Sequence, residues 1–157
     1  MKQVLNRISE ILMTVLVTVM ILAVCWQVFA RYVLNDPSGF TEELLRYALI
    51  WLTMVGGAYA YGKDKHMSVT IAVRKLSPSK KMKLRLIIDV TVIVLASLVM
   101  IYGGMMVTLN AVGQISAALG MPMPFLYLSL VVSGVMMIIY AIDKMVENVK
   151  TLKSQAV

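Results

Sequence analysis

The densest group of residues that could do chemistry lies on either side of a short turn. Glu42 and Glu43 begin an apolar stretch, Arg46 follows one turn later, and Arg31 ends the preceding apolar stretch. Residues three and four apart share a helix face, so Arg46 can pair with either acid. Acids in the first helical turn also complement the helix dipole. We interpret the four residues as a hairpin clamp, and a polar contact with a partner subunit is compatible with it.

The other ionisable or reactive side chains are scattered. His66 is the only histidine, so a bis-histidine haem is excluded, and we favour a loop position facing solvent or lipid over a pH sensor. Asp89 lies inside an apolar run, where we predict a helix-end ion pair with Arg85. Cys25 and Gln27 are predicted to serve packing and interhelical hydrogen bonding. With no triad, paired carboxylates, metal spacing or phosphate loop, the sequence predicts no enzyme, metal site or cofactor.

Composition indicates that these residues are positioned by membrane helices. The chain is 60% hydrophobic with a mean hydropathy of +0.83, and only 15% of its residues are charged. Soluble domains carry about a quarter charged residues. Four apolar stretches are long enough for a hydrocarbon core of roughly 30 Å, and they cover residues 11–30, 44–61, 86–109 and 122–142. We predict an all-α integral membrane protein, a single membrane domain over residues 1–157 with four transmembrane helices. The charged residues from Asp143 onward are predicted to form a solvated tail.

Local patterns assign the ends and faces of the second stretch. Residues 35–39 have turn composition, and Thr41 is predicted to be the N-cap of the following helix. Trp51 falls near the middle of that helix, where packing against a neighbouring protein surface is its expected role. Small residues that let another helix approach closely recur four apart, as Gly56 with Ala60 and Ala58 with Gly62.

A basic segment, residues 67–85, separates the second and third stretches. Its apolar positions recur at i, i+3, i+4 and i+7, and they are Val69, Ala72, Val73 and Leu76. This period predicts an amphipathic helix on an anionic membrane surface, and we prefer it to a strand, which the local alternation also allows. The bases expected to contact anionic phospholipid are Arg74, Lys75, Lys80 and Lys81. Ser77 and Pro78 are predicted to begin the third helix.

The distribution of charge predicts the topology. The net charge is +7, and with four spans thirteen of the fifteen basic residues fall on the side of both termini and the middle loop. The other side holds only Arg31 and Arg46. Such a bias predicts a multi-pass membrane protein with both termini cytoplasmic. Orientation and anionic lipid account for the basic surplus, so nucleic acid is not an expected partner.

Several of these residues also carry a resemblance to a known family. In chain order they are Arg31-Tyr32, Thr41-Glu42-Glu43-Leu44, Trp51, Gly56-Gly57-Ala58, His66-Met67-Ser68-Val69, Gln114 to Pro122, and Tyr127. Together they resemble the small membrane subunit (Q subunit, DctQ-like) of tripartite ATP-independent periplasmic (TRAP) transporters. The chain departs from the family where a bulky aromatic commonly follows the proline near Pro122. Here Met123-Pro124-Phe125 stands instead.

The resemblance implies a non-catalytic scaffold in the bacterial inner (cytoplasmic) membrane. Such a subunit associates with a large elevator-type membrane subunit that imports an organic acid, a dicarboxylate or sialic-acid-like compound, by symport with sodium. A periplasmic binding protein delivers that substrate. Carried over by motif, Arg31, Glu42, Glu43 and His66 become interface or structural candidates. Two alternatives remain: an autonomous small four-helix exporter or channel, and a quinone-linked membrane anchor of a redox enzyme.

Overall fold

The computed structural model describes residues 2–36, 38–63 and 78–155, and these residues are almost entirely helical. The helices are α1 (Lys2–Tyr32), α2 (Gly39–Gly62), α3 (Pro78–Leu95), a π-helical segment (Ala96–Gly103), α4 (Gly104–Asn110) and α5 (Pro124–Gln155). Helix α3, the π segment and α4 follow one another without a break. Among the described residues the one extended pairing is an isolated bridge between Ile115 and Pro122. The all-α prediction is confirmed.

Within the described residues, three helical stretches are long and apolar enough to cross a membrane, namely Gln3–Tyr32, Leu86–Asn110 and Pro124–Val146. They correspond to the first, third and fourth predicted spans. Helix α2 is not among them, so its membrane crossing stays a prediction. At 24 residues it is about 36 Å long. Because α2 packs against both α1 and α5, its residues Tyr47, Tyr61 and Gly62 are buried against protein, and the helix needs less apolar surface than its neighbours.

The core lies between α2 and α5. Its buried members are Val55, Ala58 and Tyr61 from α2 and Met136, Tyr140 and Ala141 from α5. Small residues of α2 admit both neighbouring helices. A Cβ on Gly56 would lie 3.6 Å from the sulfur of Met13 in α1, whereas one on Gly62 would lie 2.6 Å from the ring of Tyr140. The predicted small-residue spacing thus serves two different helix contacts.

The start of α2 differs from the prediction. Ser38 is the N-cap, since its hydroxyl accepts a hydrogen bond from the Thr41 N–H at 3.4 Å. The Thr41 hydroxyl instead donates to the Ser38 carbonyl at 2.9 Å. The Thr41 prediction is therefore wrong by one turn. Asn35, with φ of 52°, and the Asp36 N–H, bonded to the Ala30 carbonyl, turn the chain early enough for the helix to begin at Gly39.

The π segment and the residue that follows it pack closely against α5. A Cβ on Gly134 would lie 2.8 Å from Cβ of Met100, inside the π segment. A Cβ on Gly104, just beyond it, would lie 3.2 Å from Cβ of Leu130. π-Helical turns are rare and occur mostly as single-turn interruptions of α-helices. Here the wider turn is covered by a glycine of the opposing helix.

Helix α5 starts later and extends further than predicted. Pro122 pairs with Ile115 in the preceding loop, and the helix begins at Pro124. Proline suits this first position because its missing N–H would have no intrahelical partner there. The solvated tail predicted from Asp143 onward is wrong at its start. Helix α5 continues through it, and Lys144 is only 9% exposed.

The basic segment is mostly outside the described residues. His66, Arg74 and Lys75 fall in residues 64–77, so the predicted amphipathic helix is not described. Helix α3 begins at Pro78 as predicted. Lys80 and Lys81 lie at its start.

Candidate functional site

A clasp joins the first turn of α2 to the loop that precedes α5. The Glu43 carboxylate accepts hydrogen bonds from three successive backbone N–H groups, those of Ala117 at 3.1 Å, Ala118 at 3.0 Å and Leu119 at 2.7 Å. Successive N–H groups that converge in this way form an anion-binding concavity. We call Glu43 with residues 117–119 the clasp.

The loop sequence explains why these N–H groups converge. The Ser116 N–H donates to the Met121 carbonyl at 2.9 Å, and the Met121 N–H donates back to the Ser116 hydroxyl at 3.2 Å. Gly120 has φ of +64° and Gly113 has φ of +88°. Glycine adopts this left-handed backbone without a steric penalty. The loop is thereby closed into a tight turn whose inner face points at α2.

The same contacts set the charge of Glu43. The hydrogen bond from the Leu119 N–H lowers the pKa of this carboxyl below its ordinary value, and the Ser116 hydroxyl lowers it further, against partial desolvation. A carboxyl whose pKa is lowered by folding contributes stability above the unfolded value, here 4.5. That contribution is lost as the pH falls through the lowered pKa. The clasp is therefore ionised and closed at neutral pH.

The neighbouring charges predicted to form the hairpin clamp are arranged differently. Arg46 lies 3.6 Å from Glu42, and both side chains are about two-thirds exposed, at 63% and 67%. Exposed pairs of this kind contribute little, about 0–1 kcal/mol. In the described part of the chain, Arg31 is exposed and pairs with neither Glu42 nor Glu43. The Glu43 side chain thus binds backbone N–H groups of a loop, a contact that the sequence pattern did not indicate.

Trp51 and the paired glycines lie in the middle of α2. The Trp51 ring packs at 5.3 Å between centroids on Phe125 at the start of α5. Its indole Nε1 is buried without an acceptor among the described residues. Gly56 contacts α1, as described above, whereas a Cβ on Gly57 would meet nothing within 4 Å. The two adjacent glycines therefore differ in role, one at a helix contact and one beside open space.

An open apolar groove of about 390 Å³ runs along α1. Exposed Cys25 lies in it and is a free thiol. The other lining residues are Val17, Met20, Ile21, Val24 and Leu52.

The other end of α2 carries a set of hydrogen-bonded polar side chains that the sequence pattern did not indicate. Three tyrosine hydroxyls each donate a hydrogen bond to a side chain on a different helix. We call these six residues the tyrosine cluster. The pairs are Tyr59 with Glu10 at 2.6 Å, Tyr61 with Asp89 at 2.6 Å, and Tyr140 with Asn6 at 2.7 Å.

Asp89 lies buried in this cluster. It is 5% exposed and accepts a hydrogen bond from the Tyr61 hydroxyl. The side chain of Arg85, its expected ion-pair partner, lies outside the described residues, so that pairing stays a prediction. Lys144 approaches the same tyrosine from α5: its Nζ donates to the Tyr61 carbonyl at 2.5 Å and lies 4.1 Å from the ring centroid.

Lys63 closes the cluster toward its exposed edge. Its Nζ lies 3.7 Å from Glu10 and 5.5 Å from the centroid of the Tyr59 ring. Both charged side chains of this pair are around 40% exposed, at 38% and 43%. An exposed ion pair therefore lies against α1 at one edge of the cluster. Buried charged residues lie at its other side, between α2, α3 and α5.

These contacts define a class of protein. The polar groups described above hold helices and a loop together. No group of three or more histidine, cysteine or acidic residues among those described could hold a metal ion. Three helical stretches of the described residues are long and apolar enough to cross a membrane. The fold is that of a small helical membrane protein, and the contacts described above attach its helices and one loop to each other.

The chain belongs to the family of tripartite ATP-independent periplasmic transporters, DctQ component, whose family model matches residues 20–151. It is similar to the sialic acid TRAP transporter small permease protein SiaQ of Vibrio cholerae, at 28% identity over 97% of this chain and 87% of the relative. A putative TRAP transporter small permease protein of Haemophilus influenzae is also 28% identical, over 92% of this chain and 89% of the relative. The chain is therefore the small permease subunit of a TRAP transporter.

Proposed function

We propose that this chain is a non-catalytic scaffold that stabilises the large elevator-type membrane subunit of its transporter. The complex imports an organic acid with a sodium gradient and receives it from a periplasmic binding protein. Family membership supports both partners. The name of the Vibrio cholerae relative supports a sialic-acid-like substrate. In this role the chain neither catalyses a reaction nor binds a cofactor.

The observation that carries the scaffold role is the apolar surface of α1. Its large side chains are exposed along the whole helix, with Ile21 at 58%, Leu22 at 65% and Trp26 at 52%. The groove described above interrupts this surface at Cys25. Large exposed apolar patches mark protein or membrane contacts. We assign the groove side of α1 to the large subunit and the remaining apolar surface to lipid.

The proposed orientation has four spans, with α2 as the second, and both termini in the cytoplasm. The thirteen-to-two division of basic residues supports it. In this orientation the clasp faces the periplasm and the tyrosine cluster lies toward the cytoplasm. The basic residues Arg74, Lys75, Lys80 and Lys81 then lie at the anionic inner surface, where phospholipid is their proposed partner.

Affinity purification of the tagged chain from native membranes tests the assembly. We expect one large membrane protein of many spans to be recovered with it. A bulky Cys25→Trp variant in the groove should reduce that recovery severalfold. Val94→Trp, at an exposed position of α3, serves as the matched control and should not reduce it. Recovery of the chain alone would favour an exporter or channel, and recovery with a redox enzyme would favour a quinone-linked anchor.

Uptake by proteoliposomes tests the activity. Vesicles that contain both membrane subunits should accumulate a labelled sialic acid or dicarboxylate only with an inward sodium gradient and the binding protein. Omitting this chain should lower uptake. Uptake by vesicles that contain only this chain would contradict the scaffold proposal.

A further inference from the structure

The C-terminal end of α2 is enclosed by the other helices. The helix ends at Gly62, so the Tyr61 carbonyl is one of the last four, which lack the usual partner within the helix. In a membrane protein such a carbonyl needs a partner from the protein, because water is scarce. Tyr61 is 5% exposed, and its carbonyl accepts a hydrogen bond from the ammonium of Lys144 as well as facing the backbone N–H of Lys63.

Lys144 also meets the electrostatics of this helix end. The C-terminus of a helix carries partial negative charge, which a cation stabilises. Lysine near a helix C-terminus commonly supplies this contact from within the same helix. Here it comes from α5, eighty-three residues along the chain. The ammonium lies over the Tyr61 ring as well, so one residue of α2 receives two contacts from one lysine.

Asp89 supplies the opposite charge to the same residue. It accepts the Tyr61 hydroxyl from α3 and is buried, as Lys144 is. A buried charge is tolerated when another charge and hydrogen bonds compensate it. Tyr61 therefore has a cation at its carbonyl and ring and an anion at its hydroxyl, each from a separate helix.

We propose that the Lys144 side chain caps the C-terminal end of α2 from another helix, in addition to the helix's own C-cap residue Lys63, and that Asp89 balances its charge through Tyr61. The three residues form a lock that fixes the relative heights of α2, α3 and α5. The last turn of α2 is then formed only when α5 is docked. The lock is a property of this chain and does not depend on the transporter's other subunits.

The test uses the full-length chain in detergent, with Lys144→Met, Asp89→Asn and the double variant. The first measurement is the fraction of monodisperse protein after heating. The second is hydrogen exchange of the peptide covering residues 55–63, with the peptide covering residues 14–22 of α1 as an internal reference. Lys63→Met is the matched control, because it removes a lysine next to the same helix end from an exposed pair.

Lys144→Met should lose most of its monodisperse protein and raise exchange in residues 55–63 at least tenfold more than in the α1 peptide. Lys63→Met should change neither quantity by more than about a factor of two. The double variant should be no worse than Lys144→Met, since Asp89 is then no longer an uncompensated charge. Additive losses in the double variant, or an unaffected α2 end in Lys144→Met, would overturn the proposal.

Discussion

The two ends of α2 are attached to the rest of the protein in different ways. At the clasp, one carboxylate gathers three backbone N–H groups of a loop. At the tyrosine cluster, side chains of four helices bond to one another, and Asp89 among them is buried, as is Lys144, which contacts Tyr61. The clasp requires one particular side chain and a loop of the right shape. The cluster requires several particular side chains at once.

This difference separates local from global attachment. The clasp holds a loop whose Ala117 and Ala118 are exposed, so the loop can open while the helices stay packed. The cluster joins α1 and α3 to α2 and joins α5 to α1, so losing it separates helices. Regions with few buried contacts open at lower free energy than the core. We therefore expect changes at the cluster to lower overall stability and changes at the clasp to affect one loop.

The largest effect is expected at Gly62. A Cβ there would lie 2.6–2.8 Å from three ring carbons of Tyr140, which is fully buried and hydrogen-bonded to Asn6. Because the ring cannot move freely, Gly62→Ala should destabilise the bundle by roughly 1–3 kcal/mol. Thermal unfolding in detergent measures this.

Gly57→Ala is the matched control in the same helix. Open space surrounds this position, so alanine should stabilise α2 by roughly 0.5–1 kcal/mol through its better helix propensity. Equal effects of the two substitutions would show that the Tyr140 contact does not set the helix spacing.

A smaller effect is expected at the N-cap. Ser38→Ala removes the acceptor for the Thr41 N–H, and cap losses typically cost about 1 kcal/mol. Ser38→Gly should lose less, a few tenths of a kcal/mol. Thermal unfolding of both variants tests the order. A larger loss for glycine than for alanine would show that the Ser38 side chain does not cap α2.

A change confined to one loop is expected at the clasp. Glu43→Gln retains the shape but loses the negative charge that three N–H groups share, so hydrogen exchange in residues 115–121 should rise while the thermal midpoint hardly changes. Glu42→Gln removes an equal charge from an exposed pair and should leave the loop protected. A fall in overall stability for Glu43→Gln would mean that the clasp belongs to the core. In membranes, Glu43→Gln should lower co-purification with the large subunit, and Glu42→Gln should not.

The smallest effect is expected from mild acid. The pKa of Glu43 is lowered by the Leu119 N–H, so the clasp should stay closed as the pH falls toward 4.5 and open only below that value. A fluorescent label at an Ala118→Cys position, in a Cys25→Ser background, would report the opening. Opening near neutral pH would contradict the lowered pKa.

Much of the fold could be predicted from the sequence because apolar length is a local property. The helical class, three of the four stretches and the start at Pro78 follow from composition and from proline chemistry. Small residues four apart also indicated where helices approach α2. The Ser38 cap and the later start of α5 were missed because adjacent residues there have equally good capping or turn chemistry.

The attachments could not be predicted because their partners are distant in the chain. Glu43 bonds residues more than seventy positions away, and those donors are backbone groups with no sequence signature. Tyr61 and Lys144 are eighty-three positions apart. Lys144 was predicted to be solvated because it follows the apolar stretch directly. A signal was present in Tyr59 and Tyr61, which lie near the end of α2, but tyrosine also suits a membrane interface.

The π segment is a place where the chain can lose one residue while its buried face is kept. Ala96 and Thr108, twelve residues apart, are both buried on the α5 side. In an uninterrupted α-helix they would point about 120° apart, and with one residue fewer about 20° apart. The π segment therefore absorbs one extra residue and restores the buried face beyond it. Deleting exposed Val99 should leave both halves aligned, whereas deleting exposed Val90 should not. One-residue changes in length can accumulate here without repacking the bundle.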